Sequence, residues 1–371
     1  MDLNYNMNMN SKIFSDRVEK LQGQFKSVGE FYLISKPSNI AYLTGAKTGD
    51  KADREMFVLV GQKTAIWLVS PLMLETYSKV DFLSVMPLGK NAITKSLTGL
   101  RKGSGSTLFV DEDDLRLVEF KQLKSQLDLK IEAGKGWLEK MRQVKDSYEI
   151  EAMEKSGSIT SQVWEKIKKE IRAGWRERDI AKLIVRSLED AGADGIPVGF
   201  EPIVASGVNS SIPHHQSGNK LIKENEVVLV DFGSSYSGYS SDMTRMVNLG
   251  NKSSEYEAIQ TAVMEAYRVA LSMVRVGVDV REVDKKAEEV IAGLGLSTYI
   301  LHTTGHGLGL DIHEKPAISK RLDKEFKLLE GMVITIEPGL YIPGKFGFRY
   351  EDTVLVTADG YKKLTGVGID N

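Results

Sequence analysis

The side chains best suited to chemistry are concentrated in a few short stretches. The chain has five histidines in 371 residues. Three lie in His302-Thr-Thr-Gly-His306-Gly-Leu-Gly-Leu-Asp-Ile-His313, and the other two are the pair His214-His215. Imidazole titrates near neutrality and, when neutral, is a common metal ligand. Two acids stand near each other before this stretch. Glu226-Val-Val-Leu-Val-Asp231-Phe-Gly233 reads as a buried strand ending on a carboxylate, and Asp242 follows in Tyr239-Ser-Ser-Asp242-Met-Thr-Arg245. A turn centred near Tyr236-Ser237 sets Asp231 opposite Asp242 on a hairpin, where Cβ atoms lie about 4.5–5.5 Å apart. Carboxylates that close repel unless one is protonated or a cation lies between them.

The pattern recurs after the histidines. Met332-Val-Ile-Thr-Ile-Glu337-Pro-Gly339 is an apolar strand ending on a glutamate, Pro343-Gly344 marks a turn, and the return carries Arg349-Tyr-Glu351-Asp352. Folding about Gly344 brings Glu337 to face Glu351. Four inward acids and one histidine suit two divalent ions about 3.5–4 Å apart, the spacing at which water held between them becomes a nucleophile. The chain has no cysteine, so disulfides, thiol nucleophiles and thiolate ligands are excluded. Any metal is held by oxygen and imidazole nitrogen, which suits the harder divalent ions.

These hairpins need a scaffold, and the chain is long enough for two domains. Composition is that of an ordinary globular protein: 42% hydrophobic, 27% charged, formal net charge −2. No basic stripe supports a nucleic-acid partner, and no apolar run reaches the ~20 residues of a membrane span. Residues 1–10 read as a frayed polar tail without the features of an export signal, so the cytoplasm is the expected address.

Residues 11–135 read as a supporting domain of strands interleaved with short helices. Phe31–Ile34 and Ile40–Thr44 are apolar runs on either side of the turn Lys36-Pro-Ser-Asn39. Met56–Val60 and Thr64–Val69 form a hairpin, and Thr107–Val110 is a further strand. A boundary falls near Gly134-Lys-Gly136, and residues 136–371 form the second domain. There, Asp146-Ser-Tyr-Glu149 has the form of a capping box at a helix start. Helical periodicity then runs through Met153, Val163 and Ile167, and recurs at about 177–188, 253–272 and 280–292.

At this point the residues resemble a known family. Val230-Asp-Phe-Gly233, Ser241-Asp-Met-Thr-Arg245, Thr304-Gly-His-Gly-Leu-Gly-Leu-Asp-Ile-His313, Ile336-Glu-Pro-Gly339 and Arg349-Tyr-Glu-Asp352 occur in the order found in the pita-bread metallopeptidases, in the aminopeptidase P, prolidase and creatinase branch. Phe200–Gly207 followed by Pro213-His214 is similar to the substrate-side loop of that branch. The resemblance implies an α/β (α+β) fold: a creatinase-like N-terminal domain over 11–135, then a pita-bread catalytic domain over 136–371. It also implies Asp231, Asp242, His306, Glu337 and Glu351 as ligands to two divalent ions, manganese first, with cobalt, zinc or iron also acceptable. Asp242 and Glu351 would bridge the ions, with Asp231 on one and His306 and Glu337 on the other. His214, His302 and His313 match substrate and transition-state histidines, and Arg349 matches an arginine that orients the site. Creatinase lacks the complete ligand set, whereas this chain has it.

The activity implied is hydrolysis of the imide bond between an N-terminal residue and proline, in dipeptides or short peptides. That bond has no N–H for a site to grip. Glu337 is the expected acceptor of the water proton, His313 or His302 the donor to the carbonyl oxygen, and His214 the group positioning the residue beyond the bond. His215 reads as structural. The short Gly-His-Gly-Leu-Gly loop leans toward a dipeptidase or dual activity. A homodimer is implied by resemblance. The alternatives are a pita-bread binding module without catalysis and a metal-free, creatinase-like hydrolase.

Overall fold

A computed structural model describes residues 11–46, 54–100 and 105–366. The tail expected over residues 1–10 lies outside them. The chain divides into two compact units, Met1–Lys140 and Met141–Asn371.

The first unit runs α1 (Ser11–Gln22), β1 (Glu30–Ile34), α2 (Pro37–Thr44), β2 (Met56–Gly61), β3 (Thr64–Val69), α3 (Leu74–Tyr77), β4 (Ser84–Pro87), α4 (Ala92–Leu100), β5 (Thr107–Val110), α5 (Leu117–Gln126) and β6 (Lys130–Ala133). Its six strands form one sheet in the order β4-β3-β2-β1-β5-β6. The expected hairpin is present, with Gly61 paired to Thr64 around the turn Gln62-Lys63. Alternate residues Phe31, Leu33, Phe57, Leu59, Leu108 and Val110 share one core, as strand periodicity requires. The run Ile40–Thr44, expected as a strand, is helical. Pro37 occupies the first turn of α2, where its fixed φ favours a helix start, and Gly45 at φ 71° ends it. The local signals at the two ends outweighed the apolar run between them.

The helix α6 (Trp137–Gln143) runs across the division. Beyond it come α7 (Ser147–Ile167), α8 (Glu177–Asp190), β7 (Ile203–Ser206), a 3₁₀ turn (Gly207–Ser211), β8 (Val227–Phe232), β9 (Ser235–Tyr236), β10 (Tyr239–Ser240) and β11 (Met243–Asn248). The remainder is α9 (Ser254–Ser272), α10 (Val280–Gly293), β12 (Gly305–Gly307), β13 (Glu314–Ile318), β14 (Val333–Ile336), β15 (Gly339–Ile342), β16 (Phe346–Arg349), β17 (Asp352–Thr357) and β18 (Gly360–Lys363). The capping box at α7 is complete: the Glu149 N–H donates to Asp146 Oδ1 at 3.0 Å, and the Asp146 N–H donates to Glu149 Oε2 at 3.1 Å.

Two sheets carry the site, in the orders β11-β8-β7 and β13-β12-β14-β17-β18. Helices α7 and α8 bury Ile159, Val163, Ile180 and Ile184 against Val204, Val228 and Val230 of the first sheet. Helices α9 and α10 bury Ile259, Val263, Val283 and Ala287 against Ile334, Ile336 and Val354 of the second. Each of these sheets is therefore backed by a helix pair. Among the described residues, no helix is long and apolar enough to cross a membrane.

The first hairpin differs in register from expectation. Its turn is Ser237-Gly238, with φ of 51° and 81°, the positive pair that a tight two-residue hairpin loop demands. The turn thus falls one residue later than expected. Asp231 pairs with Thr244 rather than Asp242, while Asp242 falls across from Gly233. Because the slip is two residues, Asp242 keeps the same face as Asp231. A Cβ on Gly233 would lie 1.7 Å from the Ser241 carbonyl oxygen, so the closeness of the two backbones requires glycine. Gly233→Ala is therefore expected to push Ser241 and Asp242 outward at a cost of ~3 kcal/mol or more. A urea-denaturation midpoint equal to wild type would contradict this.

Candidate metal centre

Five side chains converge where the ends of the two sheets meet. Asp231 stands near the end of β8 and Asp242 just before β11; both are buried. In the second sheet, Ile336 is paired with Asp352, and in the β15–β16 ribbon Gly339 is paired with Arg349. The same pairing line sets Glu337 across from Glu351, as expected from folding about Gly344. His306, in β12, enters from the neighbouring strand.

One ligand atom from each of Asp242, His306 and Glu351 lies within 4.8 Å of the others. His306 Nε2 is 3.4 Å from Glu337 Oε1 and 3.9 Å from Asp242 Oδ2. His306 Nδ1 lies 3.0 Å from the Gly307 carbonyl. A carbonyl only accepts, so the ring hydrogen belongs on Nδ1 and Nε2 turns its lone pair toward the acids. Burial, then the neighbouring His313, pushes the His306 pKa down to about 3, so this ring is neutral.

The acids are held on one side and left bare on the other. Glu351 Oε2 accepts the Thr244 hydroxyl at 2.6 Å, Glu337 Oε1 accepts the Thr335 hydroxyl at 3.3 Å, and Asp231 Oδ2 accepts from Arg349 Nη2. Among the described residues, Asp231 Oδ1, Asp242 Oδ1 and Glu351 Oε1 are buried without a hydrogen-bond partner. Burial, then Glu351, pushes the Asp242 pKa well up; burial, then Glu337, does the same to Glu351. Burial raises that of Glu337 to about 7. Unpartnered buried carboxylate oxygens are costly, and converging ones lack the counter-charge that a divalent cation provides. By this criterion the residues fit a metal.

Around the acids, the remaining site residues fall into two groups. Arg349 donates to Thr244 Oγ1 at 2.9 Å, to the Tyr341 hydroxyl at 2.6 Å and to Asp231. His302 Nδ1 faces the Thr303 carbonyl at 2.9 Å, and its Nε2 faces the Tyr341 hydroxyl at 2.7 Å. Both nitrogens of His302 are thus engaged by the protein, and Tyr341 links it to Arg349. His313, by contrast, is exposed, and among the described residues its ring nitrogens make no hydrogen bond. Its ring lies edge-on to His306 with centroids 4.4 Å apart. Burial first, with the neighbouring His214 as a smaller cause, lowers the pKa of both His302 and His313.

Several supports carried no local mark in the sequence. Asp284 of α10 accepts the Thr304 N–H at 2.9 Å, its hydroxyl at 2.7 Å and the Lys320 N–H at 2.7 Å, tying the start of the histidine stretch to the segment that follows β13. Glu177, fully buried at the start of α8, accepts from the Ser206 N–H and hydroxyl, Asn209 and His215. His215 Nε2 lies 2.9 Å from this carboxylate. It anchors the loop on which His214 stands. Replacing His215 by alanine is expected to raise KM about three- to tenfold with a smaller change in kcat, since a loosened His214 loop weakens substrate placement. Steady-state kinetics on Met-Pro would show it, and an unchanged KM would count against the anchor.

The chain matches the description "Metallopeptidase family M24" over residues 151–358 and "Creatinase/Prolidase N-terminal domain" over residues 17–144. It belongs to metallopeptidase family M24. The Xaa-Pro dipeptidase of Pyrococcus horikoshii is 32% identical over 95% of this chain and 97% of the relative. Among solved structures, an Xaa-Pro dipeptidase from Bacillus anthracis is similar with a TM-score of 0.87 at 29% identity, covering 95% of this chain and 98% of that one. An X-Pro aminopeptidase from Thermotoga maritima gives a TM-score of 0.84 at 30% identity, covering 95% and 97%. The expected fold class, a creatinase-like N-terminal domain followed by a pita-bread domain, is borne out.

Proposed function

We propose that this M24 metallopeptidase hydrolyses the imide bond between an N-terminal residue and proline, with dipeptides such as Met-Pro as preferred substrates. The observation that carries the reading is the convergence of Asp242, His306 and Glu351 beside carboxylate oxygens that no protein group satisfies, in a chain whose full-length relatives are named Xaa-Pro dipeptidases. A binding module or a metal-free hydrolase would have no need of such a cluster, and neither alternative is favoured.

In this reading Asp231, Asp242, His306, Glu337 and Glu351 would hold two divalent ions, with manganese as the working metal. Bound there, such ions would polarise a carbonyl and lower the pKa of water, as Lewis acids do. The protein supplies the rest. Glu337 takes the proton of the attacking water and later returns it. His313, whose ring nitrogens are open, donates to the carbonyl oxygen as negative charge develops there. His302 is committed to Thr303 and Tyr341 and shapes the wall of the site, together with Arg349, which also neutralises Asp231. His214 places the proline side of the substrate. None of these contacts needs an N–H on the scissile bond.

The test is cleavage of Met-Pro and Met-Pro-Ala by metal-stripped protein with and without added manganese, cobalt, zinc or iron. Manganese-dependent cleavage of Met-Pro, with little of Met-Pro-Ala, is the expected result. Cleavage of the tripeptide at equal efficiency would make it an aminopeptidase, and failure on both would overturn the reading. The same reading includes a cytoplasmic homodimer, for which light scattering should give twice the mass of 371 residues.

A further inference from the structure

His313 poses a positioning problem. It is exposed, its ring nitrogens make no hydrogen bond among the described residues, and it closes a loop. Between His306 and Ala317, paired across β12 and β13, the register shifts, and the next pair is Gly307 with Glu314. The residues left over by the shift are Lys315 and Pro316, and Leu308 to His313 form the loop that joins the two strands. A side chain on such a loop has many directions open to it, yet an oxyanion donor must point within a few tenths of an ångström of one place.

The backbone on both sides of His313 is gripped from a distant part of the same unit. Arg142 Nη2 donates to Asp311 Oδ2 at 2.9 Å and also to Glu314 Oε1. Lys145 Nζ adds a contact to Glu314 Oε2 at 3.4 Å. Glu314 Oε1 also accepts the Asp311 N–H at 3.1 Å, and the Gly309 N–H donates to the Asp311 carbonyl at 3.0 Å. A Cβ on Gly309 would come within 2.9 Å of the Glu314 carboxylate, so the loop closes tightly over this ion cluster. The gripping segment is itself fixed: the Lys145 N–H donates to the Gly331 carbonyl at 2.9 Å, and Val144 bridges to Met332, next to the strand that leads to Glu337.

Arg142, Lys145 and Glu314 side chains are 5%, 1% and 7% exposed. Burying ions in this way contributes little net stability compared with apolar packing, because desolvation offsets the attraction. What a planar guanidinium supplies is geometry: two carboxylates, two residues before and one residue after His313, accept from one nitrogen whose two N–H bonds are fixed in the guanidinium plane. We propose that Arg142 is a positioning residue for His313, acting through Asp311 and Glu314. The inference rests on the donor role given to His313 above.

The experiment is a double-mutant cycle on the metal-loaded, full-length protein, using Arg142→Lys and His313→Ala singly and together, with Met-Pro hydrolysis as readout. Lysine keeps the charge and loses the fixed, planar N–H directions. Arg142→Lys is expected to lower kcat about tenfold with KM within twofold. In the His313→Ala background it should lower kcat by less than twofold, because the group it positions is gone. The histidine ring proton signals of the metal-stripped protein give a second readout: His313 should shift in Arg142→Lys while His215 does not. A tenfold loss in both backgrounds, or an unmoved His313 signal, overturns the proposal. Should Arg142→Lys not fold, Asp311→Asn, at a partly exposed position, enters the same cycle with an expected threefold effect. Wild-type protein that fails to cleave Met-Pro would sink the functional reading instead. Cleavage with additive effects sinks only the role of Arg142.

Discussion

Glu337→Gln is expected to fold normally and to lose about 10²–10⁴ in kcat on Met-Pro, the span that a positioned proton acceptor contributes. The amide fills the same space and keeps one oxygen toward the cluster, so the Thr304 carbonyl still receives the residue 337 N–H, now at 2.7 Å. What disappears is the capacity to take a proton. A carboxylate exists in a protonated and an unprotonated form, and an amide has no equivalent pair. Circular dichroism should match wild type. Turnover within threefold of wild type at full metal content would show that some other group accepts the proton.

The second large effect concerns metal removal and pH. In metal-stripped protein Asp242, Glu351 and Glu337 all bind protons more tightly than in the unfolded chain. Raised carboxylate pKa values contribute stability below the unfolded value of about 4.5 and lose it as pH rises through the folded values. His302 and His306, lowered to about 4 and about 3, act in the opposite sense. Their contribution is complete above about pH 6.5 and is lost as pH falls through those values. Between pH 4.5 and 6.5 the two sets oppose each other, and above 6.5 the acids alone decide. Stripped protein is therefore expected to lose thermal stability from pH 6.5 to 8. Manganese at a hundredfold excess over its dissociation constant should restore about 3 kcal/mol per site, or roughly 5–10 °C for a unit of this size. Calorimetry across that range, with and without metal, measures both. A stripped protein whose Tm is flat from pH 6.5 to 8 would mean that the acids are not mutually repelling.

Much of this site could be read from residue order because its parts are local signals. The strands ending on Asp231 and Glu337, the Pro343-Gly344 turn and the capping box of Asp146 and Glu149 each carry their cause within a few neighbours. The register of the first hairpin was harder, since it depends on which residues take positive φ, and Ser237 with Gly238 won over Tyr236 with Ser237. The helix at Pro37–Thr44 is hard to read from residue order because its apolar run suits a strand equally well. Tyr341, Asp284, Glu177 and Arg142 were illegible for another reason. Each acts on a partner far along the chain, as Arg142 does on Glu314, and nothing in its own surroundings announces that partner.

The acids and the imidazole of the cluster are spread from Asp231 to Glu351, on strands of two different sheets. No fragment shorter than residues 231–351 holds all five side chains. The hairpin carrying Asp231 and Asp242 can close early, yet it offers only two carboxylates; His306 arrives with β12, and Glu337 and Glu351 only when β14 meets β17. Such distant pairings form late and slowly as a chain collapses. Ion capture by the proposed site would therefore report that folding is complete. A time course of metal uptake during refolding should lag behind helix formation and coincide with the appearance of native tertiary structure.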